Sequence, residues 1–218
     1  TSGKTAAVVG GGPAGMAAAY FLARGGVKTT LFEKEEKLGG VVRNVIPGFR
    51  ISDGAIDNDA KLIEAMGVEI VTGREIGSVD EVKKDYDYVV LALGASTPGV
   101  LRLEKGQAMN ALEFLAQFKA TDGNLDLGEN VVVIGGGNTA MDTARAAKRN
   151  KGVKKVSLVY RRTKRYMPAD AEELEMAIED GVEFAELLSP VKLENGVLYC
   201  KKMVLGDYDA SGRRGVVE

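Results

Sequence analysis

Two glycine-rich turns are the places in this sequence where residue type and spacing could do chemistry. The first reads G-x-G-x-x-G through Gly10, Gly12 and Gly15, and the second reads Gly135, Gly137 and Ala140 within GGGNTA. Backbone N–H groups at the start of a helix lack intrahelical partners and carry partial positive charge. A turn of this kind can therefore hold a pyrophosphate with no charged side chain. Each glycine has its own task. Gly10 permits a tight turn, Gly12 lets backbone approach phosphate without a Cβ in the way, and Gly15 allows a helix to pack close on a strand. Ala140 is a permitted variant of that third position.

The residues downstream of each turn point to different nucleotides. Glu33 closes a strand 23 residues after Gly10. A carboxylate there can accept both hydroxyls of an adenosine ribose and would repel a 2′-phosphate, which favours FAD or NAD at the first turn. The corresponding region after the second turn reads Tyr160-Arg161-Arg162, with Lys164 and Arg165 just beyond. Forked hydrogen bonds from guanidinium groups to a 2′-phosphate favour NADPH at this second turn. A solvated basic face is the alternative. Residues 148–165 hold nine Lys or Arg and no acid, residues 166–186 hold eight acids and no base, and the two blocks could neutralise each other. For Lys164 and Arg165 the solvated face is the expectation. Nucleic-acid binding is a third reading, opposed by a net charge of −2 and an aromatic content of 6%.

The elements that must position these turns repeat. Residues 4–33 read as strand (KTAAVVG), turn, helix (MAAAYFLARGG) and strand (VKTTLFE), and residues 130–162 read in the same order. Both first strands look like apolar runs buried on both faces of a parallel sheet, and each parallel pair needs its crossover helix. The fold class expected is therefore α/β, with two Rossmann-like dinucleotide-binding domains in series, residues 1–97 and 98–218, crossing near Pro98. Between the turns, DGAIDNDAKLIEAM reads as a helix, VEIVTG as a short strand, and SVDEVKKD as a turn or short helix. DYDYVVLALG reads as a buried strand ending at Gly94, and MNALEFLAQFKA as an amphipathic helix. After the second unit, ADAEELEMAIEDG reads as a helix and VEFAELLS as one strand. VKLENGVLYCKKMVLG reads as a hairpin turning at Asn195-Gly196. DASGR reads as a second hairpin tip, with the chain ending inside the returning strand, the mark of a fragment.

Composition narrows the chemistry further. Among 218 residues there is no His and a single Cys, Cys200. Disulfide frameworks, Cys/His zinc sites, protein-ligated iron–sulfur clusters, Ser-His-Asp triads and Cys-Cys redox pairs are excluded from this chain, and no metal site is expected. Glycine is the outlier, 28 residues, about 13% against an average of roughly 7%. No apolar run has the length of a membrane span and no signal-peptide layout opens the sequence. The chemistry must be borrowed from cofactors. A hydride relay from nicotinamide to flavin fits, because it needs no side-chain acid or base, and no catalytic residue is expected.

The motifs VVGGGPAGMAAAYFLARGGVKTTLFEK, LGGVVRNVIPGFRI, DYDYVVLALGA, VVVIGGGNTAMDTARAAKR, VYRRTKRYMPA and GVEF resemble the small (beta) subunit family of NADPH-dependent glutamate synthase. That family extends to the flavin arm of dihydropyrimidine dehydrogenase and to flavoproteins assigned as selenate reductases. The resemblance implies FAD on Gly10, Gly12, Pro13, Ala14 and Gly15, with Glu33 on the adenosine ribose and Lys34 among the cofactor-binding residues. It also places Gly40 and Val41 near the middle of the cofactor, Arg50 against FAD, the backbone of Ile76 at the adenine, and Ala92 and Gly94 closing the site. NADPH is implied on Gly135, Gly137, Asn138, Thr139 and Ala140, with Arg161 and Arg162 on the 2′-phosphate. Val41 and Ile76 are also apolar enough to be plain core, and Arg50 could pair with Asp53. The family implies a cytoplasmic oxidoreductase passing electrons to an iron–sulfur domain or partner subunit, with the oligomeric state open. Relatives carry a Cys-rich region ahead of the first turn and continue beyond the position of Glu218, so the expectation here is a fragment with both domains incomplete. A binding-only module, or a flavin monooxygenase or amine oxidase, remains as an alternative.

Overall fold

A computed structural model describes residues 2–97, 99–208, 210, 212 and 214–218. The chain divides into two units, Thr1–Thr97 and Pro98–Glu218. Unit 1 runs β1 (Thr5–Val9), α1 (Pro13–Arg24), β2 (Lys28–Phe32), α2 (Gly40–Asn44), α3 (Asp53–Ala65), β3 (Glu69–Val71) and β4 (Tyr88–Leu91). Its strands form one parallel sheet in the order β3-β2-β1-β4. The central strand is made of small residues, so helices can approach closely, and Ala6, Ala7 and Val8 are fully buried. Val8, Met16, Ala19, Leu31, Leu38, Ile63 and Val68 pack together on one side. Ala7, Val9, Phe32 and Val82 form a second cluster. Each fully buried Leu or Val there contributes about 1.5–3 kcal/mol. At the bottom of the sheet, Asp87 accepts from the backbone N–H of Thr5 (2.9 Å) and pairs with Lys4 (2.9 Å), tying the starts of β1 and β4.

One expectation for unit 1 changes. The segment DYDYVVLALG is not a buried strand reaching Gly94. Its strand ends at Leu91, with one further bond from the Ala92 N–H to β1, and among the described residues it lies at the edge of the sheet, with Tyr88 and Leu91 each more than half exposed. An apolar run reads the same whether its strand is central or flanking. The short helix α2, which the periodicity does not announce, has too few residues to show a helical repeat.

Unit 2 runs α4 (Ala111–Ala120), β5 (Asn130–Ile134), α5 (Asn138–Arg149), β6 (Lys155–Tyr160), α6 (Ala171–Glu179), β7 (Glu183–Glu186), β8 (Leu188–Glu194), β9 (Val197–Lys202), β10 (Val204–Tyr208) and β11 (Arg214–Val217). A parallel sheet β5-β6-β7 is joined by two antiparallel ribbons, β8-β9 and β10-β11. Helix α5 buries Met141, Ala144, Ala146 and Ala147. Arg145 and Arg149, one turn and two turns after Met141, grip Asp180 just after α6 at 2.7 and 2.6 Å. These two hydrogen bonds, Arg149 first, hold the Asp180 carboxyl below the usual carboxylate range against the opposing effect of burial.

Two further expectations are corrected in unit 2. Strand β5 is not buried on both faces: among the described residues it pairs with β6 alone, and Val132 is 45% exposed. VEFAELLS is not one strand, because Leu187 adopts φ 59° and turns the chain from the parallel sheet into β8. The returning strand after the second hairpin is formed, as β11 pairs with β10. The tip expected at DASGR includes Asp209, Ser211 and Arg213, which lie outside the described residues. The first hairpin matches its sequence signal, with Asn195 at φ 51° and Gly196 at φ 75°. No described helix is long and apolar enough to cross a membrane.

Candidate functional site

In the first turn the three glycines differ in what surrounds them. Gly10 adopts φ 105°, and a Cβ on it would lie 2.3 Å from the carbonyl oxygen of Ala92. A Cβ on Gly15 would lie 1.8 Å from the carbonyl oxygen of Gly10, so α1 is pressed directly on the turn. Gly12 is different: its nearest neighbour would be 3.9 Å away, at Gly40. Space is therefore open where a phosphate would lie. Gly12 is the N-cap of α1 and offers no side-chain cap, Pro13 has no N–H, and no acid occupies the first turn. The N–H groups of Ala14 and Gly15 thus have neither an intrahelical acceptor nor a side-chain cap.

Glu33 is 6% exposed. Its Oε2 accepts the Gly11 N–H at 2.6 Å and its Oε1 accepts the Glu35 N–H at 2.9 Å. Each carboxylate oxygen retains a second lone pair for a ribose hydroxyl, so the pinning orients the group without exhausting it. Behind it, the Gly39 N–H donates to the Gly11 carbonyl at 2.8 Å. Gly39 adopts φ 125°, and the buried Arg43 side chain braces this second loop. Its Nε donates to the Leu38 carbonyl and its guanidinium pairs with Asp57, each at 2.5 Å.

The remaining first-site residues divide. Gly10, Gly12, Ala14, Gly15, Glu33, Gly40 and Ala92 gather around one turn, with the Ala92 N–H donating to the Val9 carbonyl. Lys34 and Arg50 are exposed, the latter following Pro47 in a turn. Val41 stands on α2 with its side chain 36% exposed, so it is not core. Ile76 packs its side chain against the second apolar cluster of unit 1. Gly94, at φ 75°, lies exposed beyond the end of β4.

The second turn follows the same plan with altered contacts. Gly135 adopts φ 149°, and a Cβ on it would stand 3.0 Å from that of Ala140. Gly137 caps α5 with no side-chain cap and nothing within 4 Å of a would-be Cβ, again leaving open space. Asn138 spends its side-chain amide on Asp170, donating at 3.1 Å and accepting the Asp170 N–H at 3.1 Å. Thr139, exposed, accepts the Thr143 hydroxyl through its carbonyl at 2.7 Å. Arg161 is exposed and Arg162 half-buried, its Nε donating to the Arg214 carbonyl at 3.1 Å. Part of the basic block is indeed neutralised, through Arg149 with Asp180 and Lys155 with Glu183.

The middle glycines were not singled out by the spacing pattern. A Cβ on Gly11 would lie 2.9 Å from Glu33 Oε2, and one on Gly136 would lie 2.4 Å from the Tyr160 ring. The GGG run present in both turns was the available signal. Arg43 and the Arg214 carbonyl carry none, since no residue pattern marks a side chain that bonds loop carbonyls, and the Arg214 contact lies 52 residues from Arg162.

A family model described as pyridine nucleotide-disulphide oxidoreductase matches residues 4–196. The chain is 45% identical to the YgfK protein of Escherichia coli O157:H7 over 97% of its length, which is 21% of that protein. It is 39% identical to the NADP(+)-dependent formate dehydrogenase subunit beta of Moorella thermoacetica, covering 98% of this chain and 32% of that one. The chain thus spans about a fifth to a third of these curated relatives. Among solved structures, FprA from Mycobacterium tuberculosis (His57Gln mutant) superposes with a TM-score of 0.75 at 19% identity, over 98% of this chain and 67% of that one. That likeness speaks to the fold.

Proposed function

Because the chain belongs to the pyridine nucleotide-disulphide oxidoreductase family, we propose that Thr1–Thr97 holds FAD, that Pro98–Glu218 holds NADPH, and that together they form the electron-entry module of an oxidoreductase. The observation that carries this reading is the contrast at the two strand ends. A buried carboxylate, pinned by two backbone N–H groups, accompanies the first turn, and an exposed Arg161 follows the second. The residues fit the groups: both turns keep open space at the N-cap glycine and uncapped helix donors. Bound NADPH supplies a hydride and bound FAD accepts it.

The chain's own part is binding and orientation. Donors at the start of α1 and α5 would face the pyrophosphates, Glu33 would accept the ribose hydroxyls, and Arg161 and Arg162 would take the 2′-phosphate. Lys34, Gly40, Val41, Arg50, Ala92, Gly94 and the backbone of Ile76 complete the proposed FAD contacts. Disulphide chemistry has no counterpart within these residues, which carry one Cys. The electrons would pass onward to an iron–sulfur domain or partner subunit. The matched Moorella protein is itself named a subunit and NADP(+)-dependent.

The test is the visible spectrum of the chain reconstituted with FAD, before and after NADPH in the absence of oxygen. Bleaching of a protein-bound flavin band by NADPH, and less readily by NADH, is the expected result. A flavin that binds yet stays oxidised with both nucleotides would reduce the chain to a binding module.

A further inference from the structure

The two turns can be matched through their hydrogen bonds. Gly10 donates to the Phe32 carbonyl at 2.8 Å, and Gly135 donates to the Val159 carbonyl at 3.0 Å. The next residue along is Glu33 in one unit and Tyr160 in the other, and each fills the space over the middle glycine, Gly11 or Gly136. The counterpart of the ribose-binding carboxylate is therefore an aromatic ring. Tyr160 is 7% exposed, and its hydroxyl donates to the Tyr166 carbonyl at 2.9 Å.

That bond closes a strap. Residues 161–165 include Arg161, Arg162, Lys164 and Arg165. The Leu187 N–H holds the Arg162 carbonyl at 3.3 Å, and Glu186 accepts the Lys164 N–H at 2.8 Å. The strap then returns to the glycine turn, where the Ala169 N–H donates to the Gly136 carbonyl at 3.0 Å and Asp170 meets Asn138. The basic segment thus begins at the end of β6 and ends at the start of α5, with the Tyr160 hydroxyl as its internal tie.

Resting on the reading of unit 2 as the NADPH site, we propose that Tyr160 is a positioning residue that sets the preference for a 2′-phosphorylated adenine nucleotide over an unphosphorylated one. It acts in two ways. Its ring stands where a carboxylate would repel a 2′-phosphate, and its hydroxyl fixes the strap so that the backbone carrying Arg161 and Arg162 need not be ordered at binding. Its ring also requires glycine at position 136, where any Cβ would strike it.

The test is calorimetric titration of the full chain and its Y160F variant, each first saturated with FAD to fill unit 1, with adenosine 2′,5′-bisphosphate and with adenosine 5′-monophosphate. These probes differ by the 2′-phosphate alone. Tyr160→Phe keeps the ring over Gly136 and deletes only the tie. The expected result is about tenfold weaker bisphosphate binding, equivalent to about 1.4 kcal/mol, with monophosphate binding changed less than twofold. Equal weakening of both probes would make Tyr160 merely structural, and an unchanged ratio would leave the strap irrelevant; either overturns the proposal. A Y160E variant should invert the preference by restoring the arrangement of Glu33 on Gly11. If the unmodified chain fails to distinguish the two probes, it is the NADPH reading of unit 2 that falls, and that outcome is separate from a failure of Y160F.

Discussion

The two glycine turns share a backbone plan and differ in what rests on the middle glycine. In unit 1 a carboxylate reaches over Gly11 and takes its N–H, while in unit 2 an aromatic ring covers Gly136 and sends its hydroxyl on to Tyr166. The third position differs as well. Gly15 is pressed so closely on Gly10 that no side chain fits, whereas α5 stands off enough to carry Ala140. One supersecondary plan thus accommodates the two ligand preferences we propose through changes at the strand end, while Gly12 and Gly137 keep the same open space.

The sharpest way to break this comparison is at the third position. Gly15→Ala drives a Cβ into the Gly10 carbonyl. It should destabilise unit 1 by about 1–3 kcal/mol or more and abolish FAD binding. Ala140→Gly in the other helix should cost only about 0.5–1 kcal/mol and retain nucleotide. Denaturant melts with ligand titration decide it: a Gly15→Ala variant as stable as the parent would show that the two helices pack alike.

A smaller effect is expected at the strand end. Glu33→Gln sets an amide NH2 against one of two backbone N–H groups that now face carboxylate oxygens. The mismatch should cost about 1–3 kcal/mol in stability and weaken FAD while leaving adenosine 2′,5′-bisphosphate binding unchanged. Weakening of both ligands would contradict the assignment of Glu33 to one site.

The smallest effect distinguishes the anchoring of unit 1 by pH. Asp87 is lowered from 3.8 to about 2, chiefly by the Lys4 hydrogen bond and then by the Thr5 N–H. A carboxyl depressed in the folded state stabilises above its unfolded value, and that contribution is lost as pH falls through the folded one. The melting temperature should therefore drop between pH 4 and pH 2, and part of that slope should vanish in Asp87→Asn. An identical slope in the variant would remove Asp87 from the account.

Much of this architecture was legible because glycine and apolar periodicity punctuate both βαβ units clearly. Residue counting failed in one instructive place. Glu33 lies 23 residues after Gly10, yet Tyr160 lies 25 after Gly135, because the link from α5 to β6 is two residues longer than that from α1 to β2. The sequence narrows the counterpart of Glu33 to Tyr160-Arg161-Arg162, and the strand register singles out Tyr160. The exposure of Val132 and Leu91 was equally hidden, since an edge strand and a central strand draw on the same β-branched residues. The Arg43 brace and the contact of Arg162 with the Arg214 carbonyl depend on tertiary placement, for which a single sequence has no short-range signature.

On the proposed reading, the chain carries two nucleotide sites of opposite 2′-phosphate preference. The most direct measurement is a calorimetric titration with adenosine 2′,5′-bisphosphate of the chain first saturated with FAD. One bisphosphate per chain, binding with the same affinity whether or not FAD is present, is the predicted result. Displacement of FAD by the bisphosphate, or loss of its binding once FAD is bound, would contradict it.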